Sequence, residues 1–191
     1  MSKYIDSQTF IKEQLKQKES SASAFEVLVS TYKKPLYWHI RRIVLNHDDT
    51  DDVLQNTFIK VYRNIGGFKG ESKLYSWLYR IATNEALSFL KKKAKRNGYT
   101  DAELQENIVQ NLQADVYFEG DEIQLKLQKA IATLPEKQKL VFNMKYFQDL
   151  KYEEISEILD VHDWSPHVPI LKAFLYYGFI GILIYIIILS Y

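Results

Sequence analysis

The residues best suited to chemistry are three aromatic side chains and the polar residues that follow them. Tyr75, Trp77 and Tyr79 lie within five residues, and Arg80 and Asn84 come next. One helix cannot bury all three rings on one side, so we expect at least one ring to face solvent. An exposed ring beside cations is typical of surfaces that stack unpaired bases and neutralise phosphates. The pattern indicates binding to single-stranded nucleic acid.

A block of cations follows on the same predicted helix. Five of the six residues from 91 to 96 are basic. They are Lys91, Lys92, Lys93, Lys95 and Arg96. Such a block suits phosphate contacts, but lysines also favour the negative end of an ordinary surface helix. From the residues alone, both interpretations stay open.

The net charge of the 191-residue chain is only +1, which conceals an uneven distribution. Residues 97–122 contain seven acidic residues and no lysine or arginine, directly after the basic block. Local fields rather than net charge govern binding. The acidic stretch has too few apolar residues in register for a core, and it is interpreted as a linker.

No catalytic or cofactor site can be assembled from the sequence. The four histidines lack metal-ligand spacing, the Gly66 to Lys73 stretch lacks a Walker-type string, and the chain has no cysteine. We therefore predict a protein that is not an enzyme and that has no metal or cofactor. The polar N-terminus does not resemble a secretory signal, so a cytoplasmic location is expected.

Helical periodicity runs through the first half of the chain, with no strand-like alternation. Apolar residues recur with helical spacing from Phe25 to Val44, and Pro35 is expected to kink or restart this helix. Residues 46–50 are predicted to form a turn, and Asp51 and Asp52 to cap the next helix. The expected inward residues of that helix and the following one are Phe58, Val61, Tyr62 and Ile65, then Leu74, Trp77, Leu78 and Ile81.

Helical spacing returns after the acidic stretch. Three further apolar stripes are predicted, with Pro135 in the first turn of the second helix. Their inward residues are Ile123, Leu127, Ile131 and Leu134, then Leu140, Val141, Met144 and Phe147, then Ile155, Ile158 and Leu159. The last two helices suit the start of a helix-turn-helix, but Pro166 and Pro169 disrupt the place of its second helix.

The end of the sequence is strongly apolar. Residues 173–191, from Ala173 to Tyr191, carry no charge. A stretch of about 20 apolar residues can span a bilayer, so a membrane anchor is one interpretation. A shifted reading frame or truncated gene is a second, and a buried core helix is the least favoured because the second domain is too small to cover it.

Several motifs together resemble one family. In chain order they are Asp51-Asp52-x-x-Gln55-x-x-Phe58, then Phe68-x-Gly70-x-Ser72-x-Leu74-x-Ser76-Trp77-Leu78-Tyr79-Arg80-Ile81-Ala82-x-Asn84, then Leu134-Pro135-x-x-x-x-x-Val141-Phe142, and Tyr152-x-Glu154-Ile155-Ser156-x-Ile158-Leu159. This order, over roughly residues 25–159, resembles the extracytoplasmic-function (ECF) group of bacterial RNA polymerase sigma factors. The resemblance implies an all-α fold of two small helical domains joined by an acidic linker, here with a hydrophobic C-terminal helix.

The resemblance also implies roles for residues. The polymerase-binding set, which docks on a coiled coil of the largest subunit of the RNA polymerase core, is Asp51, Asp52, Gln55 and Phe58. The promoter DNA-binding set, which opens the minus-ten element and holds a flipped base, is Phe68, Lys69, Ser72, Lys73, Tyr79, Arg80 and Asn84, with Lys91, Lys92, Lys93, Lys95 and Arg96 on phosphate. An anti-sigma factor is an expected further partner.

The domains are expected at 1–96 for polymerase docking and minus-ten binding, 97–122 for the linker, 123–164 for an incomplete helix-turn-helix domain and 165–191 for the hydrophobic tail. Lys172 is the only lysine or arginine after Asp160, so minus-thirty-five recognition is in question.

Two alternative functions remain. One is a membrane-tethered or degenerate regulator that binds polymerase or an anti-sigma partner, with membrane contact through the tail, and the other is a generic helical nucleic-acid-binding module.

Overall fold

The computed structural model describes residues 21–68, 72–100, 103, 127, 130, 131 and 134–160. These residues form helices and short connections, with no strand among them, and the predicted all-α class is confirmed. The helices are α1 (Ser21–Val44), α2 (His47–Asn64), α3 (Leu74–Asn97), α4 (Glu136–Phe142) and α5 (Tyr152–Leu159). A 3-10 turn (Ile65–Gly67) follows α2, and a π-helical turn (Asn143–Phe147) follows α4.

Helix α1 runs unbroken through Pro35, so the expectation of a restart there is wrong. Proline removes one backbone hydrogen bond from a helix interior and costs about 3 kcal/mol. Burial on both sides of the proline offsets this cost, because Leu28 and Tyr32 before it and Leu36 and Ile40 after it lie on one buried face. Tertiary packing therefore keeps the two halves in one helix.

Helix α2 begins at His47, so the prediction that residues 46–50 form a turn is wrong. Asn46 is the N-cap, and its side-chain oxygen accepts a hydrogen bond from the backbone N–H of Asp49 at 2.9 Å. Leu45 adopts a left-handed conformation with φ of 58°, which turns the chain between the two helices. Asp51 and Asp52 consequently lie inside the helix rather than at its cap.

Helices α1, α2 and α3 pack against one another around a shared apolar core. On α3, Leu74 and Leu78 are fully buried as predicted, whereas Trp77 and Ile81 are only half-buried. Ala82 and Ala86 extend the buried stripe, and their small side chains allow the neighbouring helices to approach closely. Helix α3 ends at Gly98, whose φ of 68° is readily adopted by glycine.

Helices α4 and α5 form a second, smaller unit, and its buried apolar residues belong to the same hydrophobic core as those of α1, α2 and α3. Most of its predicted inward residues are buried: Leu140, Val141, Met144, Ile155 and Ile158. Phe147 was expected inward but is 37% exposed, because the π-helical turn alters the register after Phe142. At the start of α5, the Glu154 carboxylate accepts a hydrogen bond from the Lys151 N–H at 3.0 Å.

The second unit packs directly on the first, chiefly through α5 against α3. Most of the predicted linker, and the predicted tail from 165 onward, lie outside the described residues. Among the helices that are described, none combines the length and the apolar character needed to cross a bilayer.

Candidate nucleic-acid interface

The outer side of α2 presents the predicted polymerase-binding residues to solvent. Asp51, Asp52 and Gln55 are exposed, whereas Phe58 is half-buried and packs against the core. Two further residues, Asn56 and Ile59, are exposed on the same side. We call the surface formed by Asp52, Gln55, Asn56 and Ile59 the α2 face, since the spacing i, i+3, i+4, i+7 places them together.

Sequence reasoning missed Ile59. Ile59 is 44% exposed, and the amides of Gln55 and Asn56 lie one turn before it on α2. An apolar side chain surrounded by polar groups is a common centre for a protein–protein contact. Its seven-residue spacing from Asp52 was the signal that could have identified it.

The three aromatic rings of α3 differ in their exposure. Tyr79 is buried, with 9% of its surface exposed, and its ring centre lies 4.7 Å from that of His39. Tyr75 is half-buried and meets Tyr79 edge-on at 6.1 Å. Burial, and then the nearby Glu154 carboxylate, raises the pKa of Tyr75. In this conformation Tyr79 is not available to stack on a base.

The loop before α3 is partly anchored by aromatic contact. The Phe68 ring packs on the half-buried Trp77 ring, with ring centres 5.1 Å apart. Ser72 is half-buried and Lys73 is exposed, whereas Lys69 lies outside the described residues. The described part of the loop thus lies beside the start of α3, next to the rings.

The basic block occupies the last turns of α3. Lys91, Lys92, Lys95 and Arg96 are exposed to solvent. Lys93 differs, because it is half-buried and forms an ion pair with Asp49 of α2. Four of the five predicted phosphate contacts are therefore presented to solvent, while Lys93 joins two helices of the first unit.

Three more members of the predicted DNA-binding set lie where α3 meets α5. The Arg80 side chain donates from Nε to the backbone carbonyl oxygen of Glu157 at 2.9 Å. Lys73 Nζ lies 3.0 Å from Glu154 Oε1. Asn84 is exposed at the mouth of a cavity of about 230 Å³ between α3 and the second unit. Lys73 and Arg80 thus already have anionic or carbonyl partners.

A histidine joins the two units in the same region. His39 Nε2 lies 2.8 Å from Thr83 Oγ1, and Gln148 Nε2 lies 2.9 Å from His39 Nδ1. The Thr83 hydroxyl donates to the carbonyl of Tyr79, so it accepts the proton of His39 Nε2–H, and Nδ1 accepts from Gln148. The ring is neutral with both nitrogens paired.

Burial lowers the pKa of His39 to about 3, the Gln148 hydrogen bond partly opposes this shift, and the charge of Arg42 adds to it. Local sequence patterns could not indicate this role, because His39, Thr83 and Gln148 belong to three different elements. Within the described parts of the chain, no group of three or more potential ligands could hold a metal ion.

Comparison with known proteins agrees with this arrangement. Residues 28–96 match the Sigma-70 region 2 family, and residues 124–163 match Sigma-70, region 4. The chain is 35% identical to the ECF RNA polymerase sigma-E factor of Haemophilus influenzae, over 74% of this chain and 79% of that protein.

Two other relatives are similar over comparable lengths. Identity is 33% to the ECF RNA polymerase sigma factor SigW of Bacillus subtilis, over 79% of this chain and 86% of the relative. Identity is 31% to the RNA polymerase sigma-H factor of Pseudomonas aeruginosa, over 71% of this chain and 75% of the relative. With both sigma regions present in order, the chain belongs to the ECF sigma factors, the transcription initiation factors that direct bacterial RNA polymerase to promoters.

Proposed function

We propose that two surfaces of the first unit, the α2 face and α3 with its preceding loop, have separate roles in transcription initiation. The α2 face binds the largest subunit of the polymerase core, and α3 with its preceding loop binds and opens the minus-ten element. The observation that carries this proposal is the placement of the two predicted residue sets on different helices of one packed unit. One unit can then hold polymerase and DNA at the same time.

Polymerase binding is supported by the composition and exposure of the α2 face. Asp52 and Gln55 offer a carboxylate and an amide to solvent, and Ile59 supplies exposed apolar area between them and the end of the helix. Charged and amide groups around an apolar centre give orientation as well as contact area. Asp51 lies at the edge of this surface, and Phe58 supports it from the core side.

Opening of the minus-ten element is supported by α3. The exposed Asn84 offers an amide that can form hydrogen bonds with a base edge, and the exposed cations of the basic block lie farther along the same helix. Swinging a base out of the stack costs a few kcal/mol of free energy. Contacts with aromatic and amide groups in a pocket offset this cost only for the correct base. Recognition and melting then occur together.

The test is detection of unpaired minus-ten thymines by permanganate in complexes of promoter DNA, polymerase core and this chain. Asn84→Ala should reduce melting about tenfold while leaving core binding unchanged, because one amide-to-base contact is worth about 1–3 kcal/mol. Ser88→Ala is the matched control, since Ser88 is also exposed on α3 one turn farther on. Equal melting by the Asn84 variant and the wild type would reject this role.

A second candidate function is a tethered regulator that binds polymerase or an anti-sigma factor without full promoter recognition. It is favoured by the uncharged residues 173–191 and by the two prolines that precede them. Cell fractionation and transcription assays with and without the last 30 residues distinguish it from the first. In either case we propose that the helical units act in the cytoplasm, where polymerase is found.

A further inference from the structure

We propose that Glu85 of α3 is a positioning residue for promoter opening, and that its ion pair with Lys60 of α2 sets the orientation of Asn84. This inference rests on the proposed function, in which the α2 face binds polymerase and Asn84 contacts a base. It adds a physical link between the two surfaces, because Lys60 and Glu85 belong to neither of the proposed sets of binding residues.

The ion pair joins α2 and α3 at short distance. Lys60 Nζ lies 2.6 Å from Glu85 Oε1. Lys60 is exposed and Glu85 is half-buried, so the contact lies at the rim of the two packed helices. A hydrogen bond between two charged groups is shorter and stronger than one between neutral groups. The pair therefore restricts rotation of α3 against α2.

The two members of the pair are neighbours of the proposed binding residues. Lys60 directly follows Ile59 and lies one turn after Asn56, both in the α2 face. Glu85 directly follows Asn84 on α3. Consecutive residues of an α-helix are separated by about 100° around its axis. A contact that holds Glu85 against α2 therefore also fixes the direction in which Asn84 points.

A second ion pair between the same helices has the opposite polarity. Asp49, near the start of α2, pairs with Lys93, near the end of α3. Here α2 supplies the acid and α3 the base, whereas Lys60 and Glu85 supply them the other way round. A shift that exchanged partners would bring the two lysines together and the two carboxylates together. Because like charges repel, the two pairs allow only one register of α3 on α2.

The apolar packing beside Glu85 leaves room for such a role. Ala82 and Ala86 are fully buried in the stripe of α3 that flanks Glu85. Rows of side chains that fit into the grooves of a neighbouring helix fix the angle at which two helices pack. A methyl group projects little into such a groove, so it restrains rotation less than a larger side chain. The ion pair therefore supplies a directional restraint that the alanines do not.

The test measures the rate of minus-ten opening by permanganate in complexes of promoter DNA with the full chain and saturating polymerase core. Glu85→Gln keeps the size of the side chain but removes its charge. We expect opening to slow about threefold, the effect of a partly exposed ion pair, with core binding unchanged. In an Asn84→Ala background the same change should cause no further slowing, because its effect passes through Asn84. A purely structural role would slow opening equally in both backgrounds.

Lys60→Met tests the pair from the other side, at an exposed position. It should slow opening about threefold alone and also about threefold together with Glu85→Gln, rather than the roughly ninefold expected of independent changes.

Asp49→Asn is the matched control, because it removes one charge from the other ion pair between the same helices. Both side chains of that pair are half-buried. The control should therefore lower the thermal midpoint of the free chain more than Glu85→Gln does, yet slow promoter opening less. Far-UV circular dichroism checks that each variant is folded.

Three results would overturn the inference. They are wild-type opening rates for Glu85→Gln, equal slowing by Glu85→Gln with and without Asn84, and losses from Lys60→Met and Glu85→Gln that multiply. Failure of the proposed function gives a different result, because Asn84→Ala alone would then open the promoter as fast as the wild type.

Discussion

Arg80 of α3 donates its Nε–H to the backbone carbonyl of Glu157 of α5 at 2.9 Å. This bond links the helix proposed to open promoter DNA with α5 of the second unit. Because the acceptor is a backbone atom, no substitution of Glu157 removes it. The proposed contact of Arg80 with promoter DNA requires this bond to break first.

The first prediction concerns polymerase binding. Asp52→Lys should weaken binding to the polymerase core by about tenfold or more, because it reverses a charge on a complementary surface. Folding should be unaffected, since Asp52 is exposed on α2. Glu26→Lys makes the same charge change on the exposed side of α1 and is the control. Equal core affinities of the two variants, measured by fluorescence anisotropy, would contradict the placement of the docking surface.

The second prediction concerns two adjacent lysines with different environments. Lys92 is exposed, so Lys92→Ala should reduce the salt dependence of promoter binding by about 0.9 in log–log slope, the value for one lost phosphate contact. Lys93 is paired with Asp49, so Lys93→Ala should mainly lower the melting temperature of the chain. Salt titrations of the polymerase complex and thermal melts of the free chain measure the two effects. A larger salt effect from Lys93 than from Lys92 would be inconsistent with this assignment.

The third prediction concerns pH. Burial lowers the pKa of His39 to about 3, so the folded chain holds a neutral ring while the unfolded chain accepts a proton below about pH 6.5. Stability from this group is complete above that value and is lost as the pH falls. Between pH 7.5 and pH 5.5 the expected loss is about 1.4 kcal/mol.

Arg42 and Tyr79 are the charged and titratable groups beside His39 within the first unit, and Gln148 is its polar partner in the second. Urea unfolding at the two pH values measures the loss, and His39→Gln should flatten the dependence because it cannot be protonated. A wild-type chain with unchanged stability from pH 7.5 to 5.5 would disprove the neutral, buried state.

The fourth prediction concerns the core. Leu78 is fully buried between the helices of the first unit, so Leu78→Ala should lower the free energy of unfolding by about 2–5 kcal/mol. Ile81→Ala, one turn along on the half-buried side, should cost clearly less. Denaturant titrations compare the two. Similar losses would mean that the inner face of α3 has been assigned wrongly.

Helix positions and most core residues could be predicted from sequence, because they depend on local spacing. Leu78 and Leu140 are buried as their three- and four-residue repeats indicate. The start of α2 was missed because the cap formed by Asn46 competes with the turn preference of the polar residues after it.

The environment of Tyr79 could not be predicted, because it depends on contacts between distant elements. Its ring packs on His39, forty residues earlier, and His39 is in turn hydrogen-bonded to Gln148 of the other unit. A helical repeat shows which side of α3 is apolar, but not that a second unit covers its polar side. The exposed α2 face, in contrast, requires only the local helix and was largely predictable.

We infer that this chain directs polymerase to specific promoters through α2 and α3. The most direct measurement adds the full chain to polymerase core with a library of fragments from the source genome and sequences the 5′ ends of the transcripts. We expect a small set of new start sites that share an upstream element and that disappear with Asp52→Lys. A chain that binds the core but yields no new start sites would contradict it.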